Sequence, residues 1–387
     1  MSLAVLYPRY SHPAIEERYA SWQTQLLLRA GAPGVRLVSY DPEEPISIAV
    51  ASLQETEVAV VTDPLLLPPP DLIVRLRSVL DESQPAVAAV PVTNVSAMSE
   101  QLRLPATAYL TLRELQELAL TRRREPSSRN IVTWRRADPA IYVCRRSFLD
   151  GVDETAAHAL QGAQVAISEN DYIHRWSSLR GQIRLDLLPR IASDARSILE
   201  FGCGESPLGA ALKERQGARV VGIEIDPEAA AVARQRIDAV HCGDVRELVT
   251  TIDERFEAII GGDIVEHLDD PWTFLGALRG LAARNGKLLL SLPNVSNASL
   301  IADLLHGRFD YAYMGLTCVG HLRFFTRTTI TEMLTIAGWT NVEITPQDSI
   351  PTPGRDELLT ALERGGYPFS RADVEPPGWY VQATNPG

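Results

Sequence analysis

Cysteine is scarce in this chain. There are four in 387 residues, at positions 144, 203, 242 and 318, and no two are spaced as Cys-x-x-Cys. That pattern excludes a disulfide framework and a structural zinc site as the organising principle. Long apolar runs are missing too: no uninterrupted stretch approaches the ~20 residues needed to span a bilayer. The opening residues, MSLAVLYPRY, place no cationic segment ahead of such a run, so the expectation is a cytoplasmic chain without a signal peptide or membrane span. Positive charge is in short supply, with 37 Lys and Arg against 49 Asp and Glu and a net charge of −12. A field of that sign repels a phosphate backbone, and no nucleic-acid partner is expected. The local exception, Arg122-Arg123-Arg124, reads as a helix C-terminus, where cations are favoured. Internal repeats and low-complexity tracts are absent. What remains, 45% hydrophobic and 22% charged, is the mix of a soluble globular protein long enough for two domains.

The sequence pattern is α/β throughout, with a composition break between Asp150 and Asn170. This predicts one domain over 1–165 and a second over 166–387. In the second, strand-like runs at Ser197–Phe201, Arg219–Glu224, Ala239–Cys242, Phe256–Ile260 and Lys287–Leu292 alternate with helical patterns. Those patterns cover Leu208–Arg215, Pro227–Ile237, Val265–Ala283 and Thr328–Ala337. Such alternation implies a doubly wound, mostly parallel sheet. Pro207 and Pro227 suit first-turn helix positions, where a missing N–H costs nothing. Runs at Asn341–Thr345 and Trp379–Ala383 are expected to pair as an antiparallel hairpin at the sheet edge.

The densest chemistry lies in Ile198–Gly209, where an apolar strand enters a Gly202-Cys203-Gly204 turn and then a helix. Glycine there lets backbone approach a ligand closely. Glu224 ends the next strand, 20 positions after Gly204, about the offset at which an acid reaches ribose hydroxyls in doubly wound folds. Ile225 offers an apolar surface for adenine. Asp244, after the third strand, can accept a proton from an exocyclic amine. The alternative is that these acids cap helices, which is the better reading for Asp226 ahead of Pro227. A nicotinamide dinucleotide wants a third glycine where Pro207 stands, so an NAD-dependent oxidoreductase is disfavoured. His241 beside Cys242 lacks further ligands in the sequence, and no metal is expected.

These segments resemble the class I S-adenosylmethionine-dependent methyltransferases over about Asp171–Ala383. The matching residues are Leu199–Gly204, Gly222–Glu224, Gly243-Asp244, Gly262–Trp272 and His321–Thr326. The resemblance implies a Rossmann-like fold and S-adenosyl-L-methionine as cofactor. Its binding set would be Glu200, Gly202, Cys203, Gly204, Glu224, Ile225, Gly243, Asp244, Val245, Gly262 and Asp263. Gly202 and Gly204 would line the methionine part, with Glu200 orienting the turn and the amino group. Glu224 would hold the ribose and Asp244 the adenine amine. Two departures stand out. Ser206 occupies a position where many relatives carry glycine, and Leu316–Gly320, ahead of His321, lacks an expected acid.

A hydroxyl acceptor must lose its proton, and histidine titrates near neutrality. His267 is the first candidate base; being four residues from Asp263, it would share one side of a helix with it. The competing reading has Asp263 as a cap and His267 as packing. His321 is the second candidate, with Arg323 able to orient an anion. Tyr172 and Trp176 could form a lid or simply pack. In the first half, a strand at Glu57–Asp63, a helix at Asp71–Leu80 and a strand at Ala86–Val92 suggest a β-α-β unit. Asp138–Arg146 resembles a segment of nucleotide-sugar glycosyltransferases. Pro64 and Leu65 follow Asp63 where those enzymes carry an Asp-x-Asp pair, which implies a degenerate glycosyltransferase-like domain. The expectation is O-methylation of a small-molecule or glycan acceptor, with a homo-oligomer compatible. A non-catalytic cofactor-binding scaffold is the alternative.

Overall fold

The computed structural model describes residues 3–9, 24–31, 33–63, 66–93, 98, 101–102, 110–124, 129–135, 139–175, 184, 186–312 and 315–387. The chain divides into two compact units, one comprising Met1–Ser177 with Asp310–Val319 and the other Ser178–Phe309 with Gly320–Gly387. No helix among the described residues is long and apolar enough to cross a membrane.

The first unit is built on strands β1 (Leu3–Pro8), β2 (Arg36–Tyr40), β3 (Glu57–Val61), β4 (Leu66–Leu67), β5 (Ala88–Thr93), β6 (Arg129–Thr133), β7 (Ile141–Arg145) and β8 (Gln164–Arg175). They form one sheet in the order β2-β1-β3-β7-β5-β8-β4, with β6 paired to β8. Side chains alternate across it. Ala4, Leu6, Val58 and Val60 enter one core, and Leu3, Val5, Ala59 and Val61 the other, as the two-residue period of a strand requires. The expected β-α-β elements are present, with the helix at Leu72–Glu82. Yet β7 lies between β3 and β5, antiparallel to both, so they are not neighbours.

The boundary falls later than composition suggests. β8 continues through 165/166 and pairs parallel with β5, so the polar residues Ser168–Asp171 belong to a sheet strand and not to a linker. Asp171 is buried because Arg75 Nε (2.6 Å) and Ser168 Oγ (2.7 Å) both donate to it. Tyr172 is fully buried in the first unit's core, which removes it as a lid. Trp176 and Asp138 lie outside the described residues. Arg122 does end a helix, Leu112–Arg122, and its guanidinium lies 5.4 Å from the Tyr172 ring centroid.

The second unit contains β9 (Ser197–Phe201), β10 (Arg219–Glu224), β11 (Ala239–Cys242), β12 (Phe256–Gly262), β13 (Ala282–Pro293), β14 (Thr340–Pro346) and β15 (Gly378–Thr384). The order is β11-β10-β9-β12-β13-β15-β14. β9 to β13 are parallel and the β14–β15 hairpin is antiparallel, as the sequence pattern predicts. Near-continuous apolar runs such as Ile198–Phe201 follow from a parallel sheet covered on both faces: Leu199 and Phe201 enter one core, Ile198 the other. Pro207 and Pro227 both open helices, at Pro207–Gln216 and Pro227–Ala233. The chain order reverses at β9, which is flanked by β10 and β12; the crevice outside these carboxyl ends is where such sheets bind ligands.

The single helix expected at Val265–Ala283 is not formed. A 3-10 turn at Val265–His267 precedes a helix at Pro271–Arg279, and Ala282-Ala283 already belong to β13. Pro271 cannot sit inside a helix, so it starts a new one, with the Asp270 carboxylate accepting from Thr273 N at 3.1 Å. Asp263 and His267 therefore do not share a helix face.

Close packing beneath the crevice gives a stability test. A Cβ on Gly261 would fall 2.0 Å from the Phe201 ring, whereas one on Gly276, within the Pro271–Arg279 helix, meets nothing within 4 Å. Gly261→Ala is expected to cost about 1–3 kcal/mol by overpacking. Gly276→Ala should be neutral or stabilising by up to about 1 kcal/mol. Urea denaturation of both variants checks the contrast.

Candidate functional site

The site is assembled at the carboxyl ends of β9, β10, β12 and β13. After Phe201 the chain turns sharply, with Gly202 at φ +65° and Gly204 at φ +55°. A side chain on Gly202 would also collide with Ile264, its Cβ lying 2.3 Å from Cδ1. The turn is tied to the neighbouring strand: Gly202 N and Cys203 N donate to Ile223 O, at 2.8 and 3.1 Å. The Glu224 carboxylate completes the stitching. It accepts from Gly204 N at 2.7 Å through one oxygen and from Asp226 N at 2.9 Å through the other. Each oxygen keeps lone-pair capacity for a further donor. Asp226 caps its helix as expected, accepting from Glu228 N at 2.9 Å.

Ser206 is buried and held at φ +51°, a conformation favoured by glycine. Its side chain explains why serine is tolerated: Oγ donates to Glu200 Oε2 at 2.6 Å. Burial pushes the Glu200 carboxyl up to about 7; the Ser206 and Gly209 hydrogen bonds oppose that rise, and the Glu224 charge adds to it. Burial also raises the Cys203 thiol, which rules it out as a ready nucleophile. Ile225 is 60% exposed beside Glu224, an apolar plate facing solvent. Asp244 N-caps the turn at Val245–Leu248 and pairs with Arg246, whose hydrogen bonds hold its carboxyl below the usual range. In this state the capping role and the ion pair occupy the group the sequence assigns to an amine. His241 and Cys242 lie on β11, and the cysteine is exposed.

Across the crevice, Asp263 has φ +54°. It is not a helix cap. Its carboxylate accepts from Arg184 Nη1 (2.9 Å) and Ser291 Oγ (2.9 Å). Sequence reasoning misses Arg184, which stands in an unpatterned stretch that no spacing argument reaches. Its guanidinium lies over Gly262, where a Cβ would be only 2.7 Å from Nη1. It also forks onto Asp186 through Nε (3.0 Å) and Nη2 (2.8 Å). Burial works against its charge, but the Asp186 hydrogen bonds and the Asp263 carboxylate outweigh it and raise its pKa.

The structure brings His267 and His321 together although they are 54 positions apart in sequence. Their rings meet edge to face with centroids 4.9 Å apart. His267 Nδ1 lies 3.0 Å from Gly320 O, so with that nitrogen donating, the ring is fixed in one orientation. Leu322 N and Arg323 N donate to Glu266 O at 2.8 and 3.1 Å, which ties the segment carrying His321 to the 3-10 turn. The Arg323 side chain is turned to the carbonyls of Leu322 and Asp269. Glu266 lies inside the matching stretch, yet nothing in its spacing marks it. It is buried, with its Oε1 3.8 Å from His321 Nε2. Leu316–Val319 falls within the segment that groups with the first unit.

The methyltransferase-domain family model matches residues 172–344. The ubiquinone biosynthesis O-methyltransferase of Cereibacter sphaeroides is 23% identical over 173 residues, 43% of this chain and 69% of that protein. The protein of the same name from Xylella fastidiosa is 30% identical over 139 residues, 33% of this chain and 54% of that protein. The chain thus spans about half the length of the second relative. Among solved structures, an S-adenosylmethionine-dependent methyltransferase from Archaeoglobus fulgidus aligns with a TM-score of 0.38 at 18% identity, over 52% of this chain and 91% of that one. A possible histamine N-methyltransferase from Thermotoga maritima aligns with a TM-score of 0.37 at 14% identity, over 52% and 86%.

The Glu200 carboxyl supplies a pH test. Its pKa in the folded chain, about 7, lies above the ordinary 4.5, so the folded state binds the proton more tightly. Its contribution to stability is complete below pH ~4.5 and is lost as the pH rises through ~7. The loss should be on the order of 3 kcal/mol. In Glu200→Gln that part of the pH dependence should vanish. Urea titrations of both proteins across this window decide it; identical slopes would refute the assignment.

Proposed function

We propose, from a C-terminal half that is a class I S-adenosylmethionine-dependent methyltransferase domain, that this protein O-methylates a small acceptor. The observation that carries the reading is the Gly204–Glu224 cradle. Its carboxylate is already oriented by two backbone N–H groups and retains lone pairs for two vicinal hydroxyls. Ile225 offers its apolar face to an adenine, and Asp244 would reach the exocyclic amine by releasing Arg246. Arg184 can turn from Asp263 to a carboxylate, since guanidinium forks match that group. Glu200 would meet an ammonium. These donors and acceptors fit S-adenosylmethionine at each polar end, and Pro207 stands where a dinucleotide needs glycine.

The cofactor supplies a sulfonium methyl group already activated for in-line attack. The chain's own task is then to hold the acceptor in line, exclude water and take its proton. His267 and His321 are the candidates for that proton, paired edge to face beside the crevice. The O-methyltransferase relatives support oxygen as the acceptor atom at low identity. A sugar-containing acceptor is the finer reading, and it rests on the glycosyltransferase-like pattern at Asp138–Arg146 in the first unit.

Calorimetry tests the reading directly. S-adenosylhomocysteine should bind and NAD should not. Glu224→Ala should weaken binding by about 10- to 150-fold, the worth of hydrogen bonds involving a charged group. Below pH ~7 the incoming ammonium should drive a proton off Glu200, seen as a binding heat that varies with buffer ionisation enthalpy. Binding of NAD alone, or unchanged affinity in a folded Glu224→Ala protein, would sink the proposal.

A further inference from the structure

The loop Cys318-Val319-Gly320-His321 sets a thiol and an imidazole three positions apart, and the fold adds His267 to them. One ligand atom from each of these three side chains lies within 4.8 Å of the others. The two rings stand as paired ligands do. They meet edge to face with centroids 4.9 Å apart, and two imidazoles on one tetrahedral ion would be about 5 Å apart. Each ring also turns one nitrogen to an acceptor. His267 Nδ1 lies 3.0 Å from Gly320 O, and His321 Nε2 lies 3.8 Å from Glu266 Oε1. A carbonyl or carboxylate behind each imidazole is what fixes tautomer and ring orientation in metal sites. That leaves His267 Nε2 and His321 Nδ1 for an ion, the latter a buried atom. Glu266 then has a reason to be where it is. It is fully buried, and neither carboxylate oxygen has a hydrogen-bond partner among the described residues, a heavy desolvation cost. Burial and the Asp263 charge hold its carboxyl well above the usual range; a dication on His321 would work against both.

We propose that Cys318, His267 and His321 bind a divalent transition metal of the zinc class, with Gly320 O and Glu266 orienting the two rings. Thiolate and imidazole select such an ion over the hard cations magnesium and calcium. Three protein ligands leave one tetrahedral position for a water or another oxygen. The site goes beyond the methyl-transfer reading and bears on one part of it. With the ion bound, both nitrogens of each ring are engaged, so the rings can take an acceptor's proton only in the metal-free protein.

Zinc titration of the chelator-stripped full-length protein tests this without cofactor or acceptor. One equivalent of Zn2+ should bind. Co2+ in its place should show the intense visible bands of a tetrahedral ion together with a thiolate charge-transfer band. Cys318→Ser should abolish the charge-transfer band. Glu266→Gln should weaken zinc binding by about 10- to 100-fold, the effect of losing a group that orients a ligand. Cys242→Ser, which changes the exposed thiol on β11, should alter neither readout. Failure of the unaltered protein to hold one equivalent of zinc overturns the proposal, whatever the variants do. So does a cobalt spectrum without the thiolate band, or a band that survives in folded Cys318→Ser or is lost in Cys242→Ser. Zinc binding without S-adenosylhomocysteine binding would leave the site standing and remove methyl transfer. The converse result would remove the site and leave methyl transfer.

Discussion

Where parallel strands end, their backbone groups lose the partners the sheet supplied, and something must orient the turns that follow. In the second unit that task falls to Glu224, whose two oxygens take one N–H from the glycine turn after β9 and another from the turn after β10. Two loops from different strands are thereby locked to one carboxylate. The rest of the crevice depends on this lock. It fixes where Gly202 and Gly204 expose their backbone, how Ile225 presents its face, and where the Pro227 helix begins.

The same edge concentrates buried acid. Glu200, Glu224 and Glu266 are all under 9% exposed, and each handles its charge differently. Glu224 accepts two backbone N–H groups, one on each oxygen. Glu200 leans on a serine hydroxyl and is left near the point where it can gain or lose a proton. Glu266 faces an imidazole at ion-pair distance. Burial thus raises the carboxyls of both Glu200 and Glu266 above their usual range, Glu200 to about 7.

Much of this is legible in the sequence because it rests on short-range rules. The strand-turn-helix at Ile198–Gly209, the 20-residue interval to Glu224 and the proline-opened helices all follow from glycine and proline chemistry and from period. What escapes depends on tertiary contacts. Arg184 has no local pattern to mark it, and its role comes from Asp186, Asp263 and Ser291 converging in space. The break at Asp270-Pro271 is visible as a proline, but the surrounding helical period masks it. β8 is hidden by Ser168–Asp171, polar residues that read as a linker until Arg75 and Ser168 are seen satisfying Asp171.

The segment Asp310–Val319 groups with the first unit although chain on both sides of it belongs to the second. It is closed on itself by Ala312 N to Thr317 O and Val319 N to Ala312 O, at 3.0 and 2.8 Å, and Val319 packs on the first unit's core. The polypeptide therefore passes between units three times, and neither unit is a continuous stretch of gene. A protease that cut once near residue 178 would yield two fragments, the larger still holding the Asp310–Val319 segment that groups with the smaller. A C-terminal half moved to another protein would carry Val319 away from the core on which it packs.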